Sequence, residues 1–228
     1  MRLPNLQQRI LILGRTGSGK SRAAVWHLAQ KNLVSKIWIC LNHKCEELID
    51  SIPGAQHVDV DFRPKKSGLY IYHPIPENDD EKVEELLWYI HARENIGLYI
   101  DEAYSVNPRS PALIALYTQG RSKHIPMITL SQRPSAICRF AVSESDFYQL
   151  FPLNDIKDRQ RVQGFIPFDL ETILKQEAGQ DIKLPEFHSI YYDVGKNDLA
   201  IMAPVPSDDL ILDMFERQLK NNSKKFLL

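Results

Sequence analysis

Cysteine is scarce in these 228 residues: Cys40, Cys45 and Cys138 are all there are. An odd, sparse set excludes a disulfide framework and suits a reducing compartment. Cys40 and Cys45 flank His43, but a closed zinc site needs a further ligand pair at suitable spacing, and the sequence offers none. The thiols are therefore expected to be buried or idle. Excess charge of either sign is also missing. The formal net charge is -1, so no global field draws the chain onto nucleic acid. Any DNA contact has to come from local basic patches. No apolar run approaches the roughly 20 residues of a membrane span, and the opening "MRLPNLQQ" lacks the apolar core of a secretory signal. The expectation is a cytosolic chain with no membrane span. Internal repeats, low-complexity tracts and linkers are absent too. Residues 1–228 are thus expected to form one domain, with core motifs in 8–135 and a C-terminal extension over 136–228.

What is present is ordinary globular composition, 43% hydrophobic and 25% charged, enough to bury a core without staples. Gln8 to Leu13, Lys36 to Leu41, Leu69 to Tyr72, Gly97 to Ile100, Pro126 to Leu130 and Phe147 to Leu150 read as short apolar strands. Helical spacing is expected over Gly19 to Lys31, Asp79 to Arg93 and Pro111 to Tyr117, and a polar helix starts at Asp155. In that polar helix Arg159 and Arg161 alternate with acids and read as a solvated face. "VGKND" between Ser189–Asp193 and Leu199–Ala203 signals a hairpin. Ser207 to Leu219 is amphipathic, with Leu210, Ile211, Met214, Phe215 and Leu219 along one side. The tail "KNNSKKFLL" is expected to be loose. Strands alternating with helices predict an α/β fold. Its sheet is mainly parallel, covered on both faces, with a C-terminal antiparallel addition.

"GRTGSGKS", Gly14 to Ser21, matches G-x-x-x-x-G-K-[ST] at every fixed position and stands between an apolar strand and a helix. Gly14, Arg15, Thr16, Gly17, Ser18 and Gly19 form the loop whose backbone N–H groups would face ATP phosphates. The following helix adds positive partial charge. Lys20 would reach the β- and γ-phosphates, and the Ser21 hydroxyl would hold Mg²⁺. "GLYIDEA" then ends an apolar strand on two acids. Asp101 at that strand end would complete the Mg²⁺ shell, and Glu102 would polarise the attacking water. The adjacent glutamate favours an ATPase over a kinase, and no guanine-reading "NKxD" is present.

The strand inside "TQGRSKHIPMITLSQRP" is bracketed by polar residues. Gln132 follows its C-terminal end, the ligand edge of a parallel sheet. Its amide accepts and donates at once, so it can bridge water or γ-phosphate and the metal shell. Arg121 precedes the strand, at the opposite edge. It could serve a neighbour's nucleotide in a ring, as an arginine finger.

Taken together, "LILGRTGSGKS", "LYIDEA" and "GRSKHIPMITLSQRP" resemble the FtsK/HerA class of P-loop ATPases. Within that class they are most similar to the small genome-packaging ATPases of tailless, membrane-containing double-stranded DNA phages. The resemblance covers roughly residues 8 to 135 by motif. It implies a RecA-like core, a homo-oligomeric ring (usually a hexamer), and ATP-driven movement of double-stranded DNA into a preformed capsid. It also implies partners at a capsid vertex or portal, and a place in the host cytoplasm during assembly or on the virion at a packaging vertex. By position, Lys20 and Ser21 carry phosphate and Mg²⁺, Asp101 and Glu102 are the Walker B pair, Gln132 is the sensor and Arg121 the finger. For DNA, the compact basic loop "RPKKSG" offers Arg63, Lys65 and Lys66. Lys123, His124, Arg133 and Arg139 are further candidates, each with a solvated surface as the plainer reading. The competing functions are another FtsK/HerA-like motor (helicase-like, conjugative or phage-extrusion), a P-loop nucleotide kinase, or a nucleotide-switched scaffold without turnover.

Overall fold

The structure is a computed structural model that describes residues 2–31, 33–167, 169 and 184–225. One nine-stranded sheet organises the chain, in the order β3-β4-β2-β5-β6-β1-β7-β8-β9. Its strands are β1 (Arg9–Leu13), β2 (Ile37–Asn42), β3 (Gln56–His57), β4 (Gly68–Tyr72), β5 (Ile96–Asp101), β6 (Met127–Ser131), β7 (Phe147–Leu150), β8 (Ser189–Asp193) and β9 (Asp198–Met202). Strands β1 to β7 pair in parallel. β8 pairs antiparallel with β7, and β9 with β8. The expected C-terminal hairpin therefore extends the parallel sheet at one edge.

Both faces of strands β1, β2 and β4 to β8 are buried, which is why the parallel ones read as continuous apolar runs rather than alternating ones, whereas the edge strands β3 and β9 are largely exposed. In β1, Leu11 and Leu13 join one core cluster while Ile10 and Ile12 join the other. The first cluster is closed by α3 (Asp80–Arg93) through Val83, Leu86, Leu87 and Ile90, and by α4 (Pro111–Gln119) through Leu113 and Leu116. Also over that face lie α5 (Arg139–Ser143) and α6 (Ile156–Gln163). The opposite cluster is closed by α1 (Lys20–Ala29), the single turn α2 (Glu47–Asp50) and α7 (Asp208–Lys225), through Ala24, Leu28, Ile49, Ile211 and Phe215. Gly97 in β5 pairs with Trp38 in β2, and a Cβ at Gly97 would lie 2.4 Å from the indole. No other residue fits beside that ring.

Several expectations need correction. α7 continues to Lys225, so most of the tail expected to be loose is helical. Ion pairs Arg217–Asp213 and Lys220–Glu216 lie one turn apart along it. The apolar stripe of α7 centres on Ile211 and Phe215, while Leu210 is 58% exposed. Arg159 is buried and donates to the carbonyls of Leu153 and Asn154 at 3.1 and 2.7 Å, so it is not a solvated residue. It ties α6 to the connection between β7 and α6. α2 and β3 were not expected at all: one is a single turn and the other a polar dipeptide.

Candidate functional site

The parallel strands end together at one edge of the sheet, and sequence order decides what meets there. β1 ends at Leu13, opposite Ser131 of β6, and Asn42 of β2 pairs with Asp101 of β5. Because β6 lies between β1 and β5, the residue after β6 stands between the glycine loop and the acidic pair. That residue is Gln132.

The loop from Gly14 to Gly19 turns the chain from β1 into α1. Gly17 and Gly19 have φ of +73° and +97°, in the left-handed region that glycine enters freely. A Cβ on Gly14 would fall 2.5 Å from Phe151 Cβ. The N-terminus of α1 has no side-chain cap and no acid in its first turn, so its free amides and positive end face the loop. Lys20 Nζ donates to the Arg15 carbonyl at 3.3 Å. Burial lowers the Lys20 pKa, while the nearby Glu102 carboxylate opposes that shift. Such a cation is only partly compensated until a phosphate arrives.

Asp101 and Glu102 are each 1% exposed. Burial first, then the Glu102 charge, push the Asp101 carboxyl up to about 7, with Lys44 acting in the opposite direction. Asp101 Oδ2, Glu102 Oε2 and Ser18 Oγ are buried with no hydrogen-bond partner among the described residues. Two orphaned carboxylate oxygens on adjacent residues fit a small hard cation such as Mg²⁺. Glu102 has φ +52° and ψ 67°, a strained left-handed backbone that re-aims its side chain out of the strand.

Gln132 joins these parts. Its Nε2 donates to Glu102 Oε1 at 2.5 Å, and its Oε1 accepts from Thr16 Oγ1 at 2.6 Å. The amide thus connects the glycine loop to the glutamate. A cavity of about 680 Å³ opens in front of it, lined by Arg15, Thr16, Gln132, Arg133, Asn154 and Asp155 among others. Arg133 faces Asp155 and Asp158 at 3.8 and 4.0 Å.

Sequence reasoning missed three contributors. Lys44 pairs with Glu102 Oε1, and Glu46 Oε2 accepts from Ser21 Oγ at 3.2 Å. Both follow β2, so the rule that strand C-termini carry ligand residues could have flagged "NHKCEE". His43, weighed in sequence as a zinc ligand, instead places Nδ1 2.8 Å from the Asp101 carbonyl. Cys40 is buried and Cys45 exposed, and neither joins a convergent ligand group among the described residues. Phe187 is the third: 44% exposed, it lies against Gly19 and lines small cavities with Arg22, Phe151, Pro204 and Val205.

Other expected site residues lie elsewhere. Arg121 is exposed in the turn before β6, at the opposite edge of the sheet from the glycine loop; its carbonyl accepts from the His124 amide at 3.2 Å, and its side chain makes no hydrogen bond or ion pair among the described residues. Lys65 and Lys66 are exposed in the connection leading to β4, at the same edge as Arg121. Arg63 is half-buried, donates to the carbonyls of Val60 and Phe62, and lies 3.8 Å from Glu85, so it closes its own loop. Lys123 pairs with Glu94 at 2.6 Å.

No protein-family model matches the sequence. The DNA packaging ATPase P9 of Enterobacteria phage PRD1 is 60% identical over 216 residues, 95% of each chain. The chain belongs to the phage DNA packaging ATPase family. Solved structures agree on the fold. The genome packaging NTPase B204 of Sulfolobus turreted icosahedral virus 2, in complex with ATP-gammaS, superposes with a TM-score of 0.66. It is 17% identical over 89% of this chain and 100% of its own. VirB4 of Thermoanaerobacter pseudethanolicus gives 0.62 at 10% identity, over 87% and 89%. ATPases 2 and 3 of EssC from Geobacillus thermodenitrificans give 0.63 at 14%, over 96% of this chain and 45% of theirs. The α/β fold read from the motifs, a mainly parallel sheet with a C-terminal antiparallel addition, is the fold this ATPase shares with these structures.

Proposed function

We propose that each subunit hydrolyses Mg·ATP and that a ring of subunits uses the reaction to drive double-stranded DNA into a preformed capsid. One observation supports the hydrolytic site above the rest: Gln132 bridges Thr16 of the phosphate loop and Glu102 of the acidic pair. A nucleotide kinase would instead need a base aimed at a substrate hydroxyl.

In this reading the loop amides and Lys20 hold the β- and γ-phosphates. Ser21 and Asp101 would hold Mg²⁺, which neutralises charge on the phosphate oxygens. Glu102 is fixed through Oε1 by Lys44 and Gln132, which leaves Oε2 open to accept a proton from the attacking water. Gln132 orients that water and reports the state of the γ-phosphate to the loop. Phe187 beside Gly19 offers an apolar face for the nucleoside end of ATP.

Arg121 lies far from its own loop across the sheet, so it would act in trans, on a neighbour's nucleotide. That role requires a closed homo-oligomer, in this reading a hexamer. Lys65 and Lys66 would meet DNA phosphates without reading sequence. Arg63 would support their loop rather than touch DNA. Residues 1–228 would work as one motor unit, because the extension after residue 136 adds β7, β8 and β9 to the sheet of the core motifs. No helix among the described residues is long and apolar enough to cross a membrane. Capsid-vertex or portal proteins would dock the ring, in the host cytoplasm during assembly or on the virion.

Glu102→Gln is the test of the hydrolytic assignment. It should lower ATP turnover by roughly 10²–10⁴-fold while ATP binding changes little. Unchanged turnover would remove Glu102 from the chemistry.

A further inference from the structure

Away from the nucleotide, at the β3 edge of the sheet, the pairing register gathers two histidines. His57 of β3 pairs with Ile71 of β4, and His73 stands two residues beyond Ile71. Residues two apart in a strand point to the same face, so both imidazoles project from one side. Their rings stack with centroids 5.6 Å apart and planes within 4°. α2 covers that face, since Ile49, Ile52 and Ile71 share a core cluster, and it ends on Asp50. Asp50 Oδ1 lies 2.9 Å from His73 Nε2 and 4.0 Å from His57 Nδ1. The donor atoms of the three residues all lie within 4.8 Å of one another. Among the described residues no other group of histidine, cysteine, aspartate and glutamate converges so.

We propose that Asp50, His57 and His73 bind one divalent transition-metal ion, of the zinc class, with a fourth position left to water. Two imidazoles and a carboxylate suit Zn²⁺ or Co²⁺, whereas Mg²⁺ prefers an all-oxygen octahedron. Bonds of about 2.0–2.1 Å at tetrahedral angles set donors roughly 3.3 Å apart. His73 and Asp50 need to open slightly to reach that spacing, and His57, whose side chain is 47% exposed, needs to close by about 0.7 Å toward Asp50 and by at most about 1.5 Å toward His73. Such shifts are within side-chain rotation.

A partner for the carboxylate is already in place. Asn42 Nδ2 donates to Asp50 Oδ1 at 2.8 Å, and Asn42 Oδ1 accepts from the Glu46 amide at 2.9 Å. Outer contacts of this kind orient metal ligands. They also connect the site to the nucleotide edge, because Glu46 accepts from Ser21. A bound ion would clamp α2 to β3 and β4 and steady the loop that carries Lys44 and Glu46. The proposal does not depend on the reading of the nucleotide site.

The test is a Co²⁺ titration of the full chain in excess Mg²⁺, which keeps the ion from the oxygen ligands Ser21 and Asp101. Wild type should give an intense visible band that saturates at one equivalent, and Zn²⁺ should displace it. His57→Gln, at an exposed position, should weaken apparent Co²⁺ affinity at least roughly tenfold while Mg²⁺-dependent ATP turnover is retained. Asn42→Ala should weaken Co²⁺ affinity by about 10-fold through the outer contact. His73→Gln should abolish the band, and Asp101→Asn should leave it intact. No band at one equivalent in wild type, a band that persists in the His57→Gln, His73→Gln double variant, or one that Asp101→Asn removes, would each overturn the proposal.

Discussion

Asp101 should make the metal-free protein less stable as pH rises toward 7, and Asp101→Asn should relieve that loss. Burial and the Glu102 carboxylate raise the Asp101 pKa in the folded state from 3.8 to about 7. Between those values the folded state keeps a proton that the unfolded chain has released. Stability is therefore fully present below about pH 4 and falls as pH rises, by about 1.4 kcal/mol per unit, until the folded pKa is passed. Between pH 5.5 and 7 the loss is about 2 kcal/mol. Asparagine does not titrate, so the difference between variant and wild type separates the coupled Asp101–Glu102 pair from the remaining groups and from any pH-independent packing change. For a chain of this size about 1 kcal/mol moves the melting temperature by roughly 2–4 °C. Thermal melts in EDTA should show the variant gaining about 4–8 °C on wild type between pH 5.5 and 7.5, with no further gain above. Adding Mg²⁺ at pH 8 should stabilise wild type and leave the variant unmoved. A difference that stays constant across pH, or shrinks as pH rises, would refute the claim that Asp101 is a buried carboxylate awaiting a cation.

Two further outcomes are expected. Phe187→Ala should weaken ATP binding by roughly 5–30-fold, the effect of removing about 1–2 kcal/mol of apolar contact, with kcat at saturation nearly unchanged; equilibrium binding of an ATP analogue beside steady-state kinetics reads both. If Arg121 acts in trans, mixing inactive Arg121→Ala and Lys20→Ala subunits should restore turnover at about a quarter of the interfaces by random assortment in a ring. Mixtures that stay inactive at every ratio would place Arg121 outside the neighbour's site.

The parts of this site that were legible in sequence share one property: local chain order suffices to define them. The glycine loop is recognisable because strand, motif and helix are contiguous from Arg9 to Ala29. Asp101 and Gln132 are legible as polar ends of apolar strands, each at the edge where a parallel sheet holds ligands. Lys44 and Glu46 follow a strand end too, but their loop carries no motif. Their arrival beside Glu102 and Ser21 follows from β2 pairing with β5, a neighbour relation that one sequence does not specify. The histidine pair is illegible for the same reason, since it exists only through the β3–β4 register. Arg159 reads as solvated in sequence because alternating charges in a helix resemble a wet face. Its burial depends on the Leu153 and Asn154 carbonyls in the connection from β7 to α6, which need a donor. In α7 the run Asn221, Asn222, Ser223 disfavours helix locally, and the helix nevertheless continues to Lys225.

The central claim is that hydrolysis at this site is coupled to DNA within a ring. ATP turnover with and without double-stranded DNA, on protein whose assembly mass is measured in the same solution, tests it most directly. The account predicts turnover stimulated by DNA in an assembly of several subunits, with stimulation that falls as salt rises. Full, DNA-independent turnover by a stable monomer would contradict it.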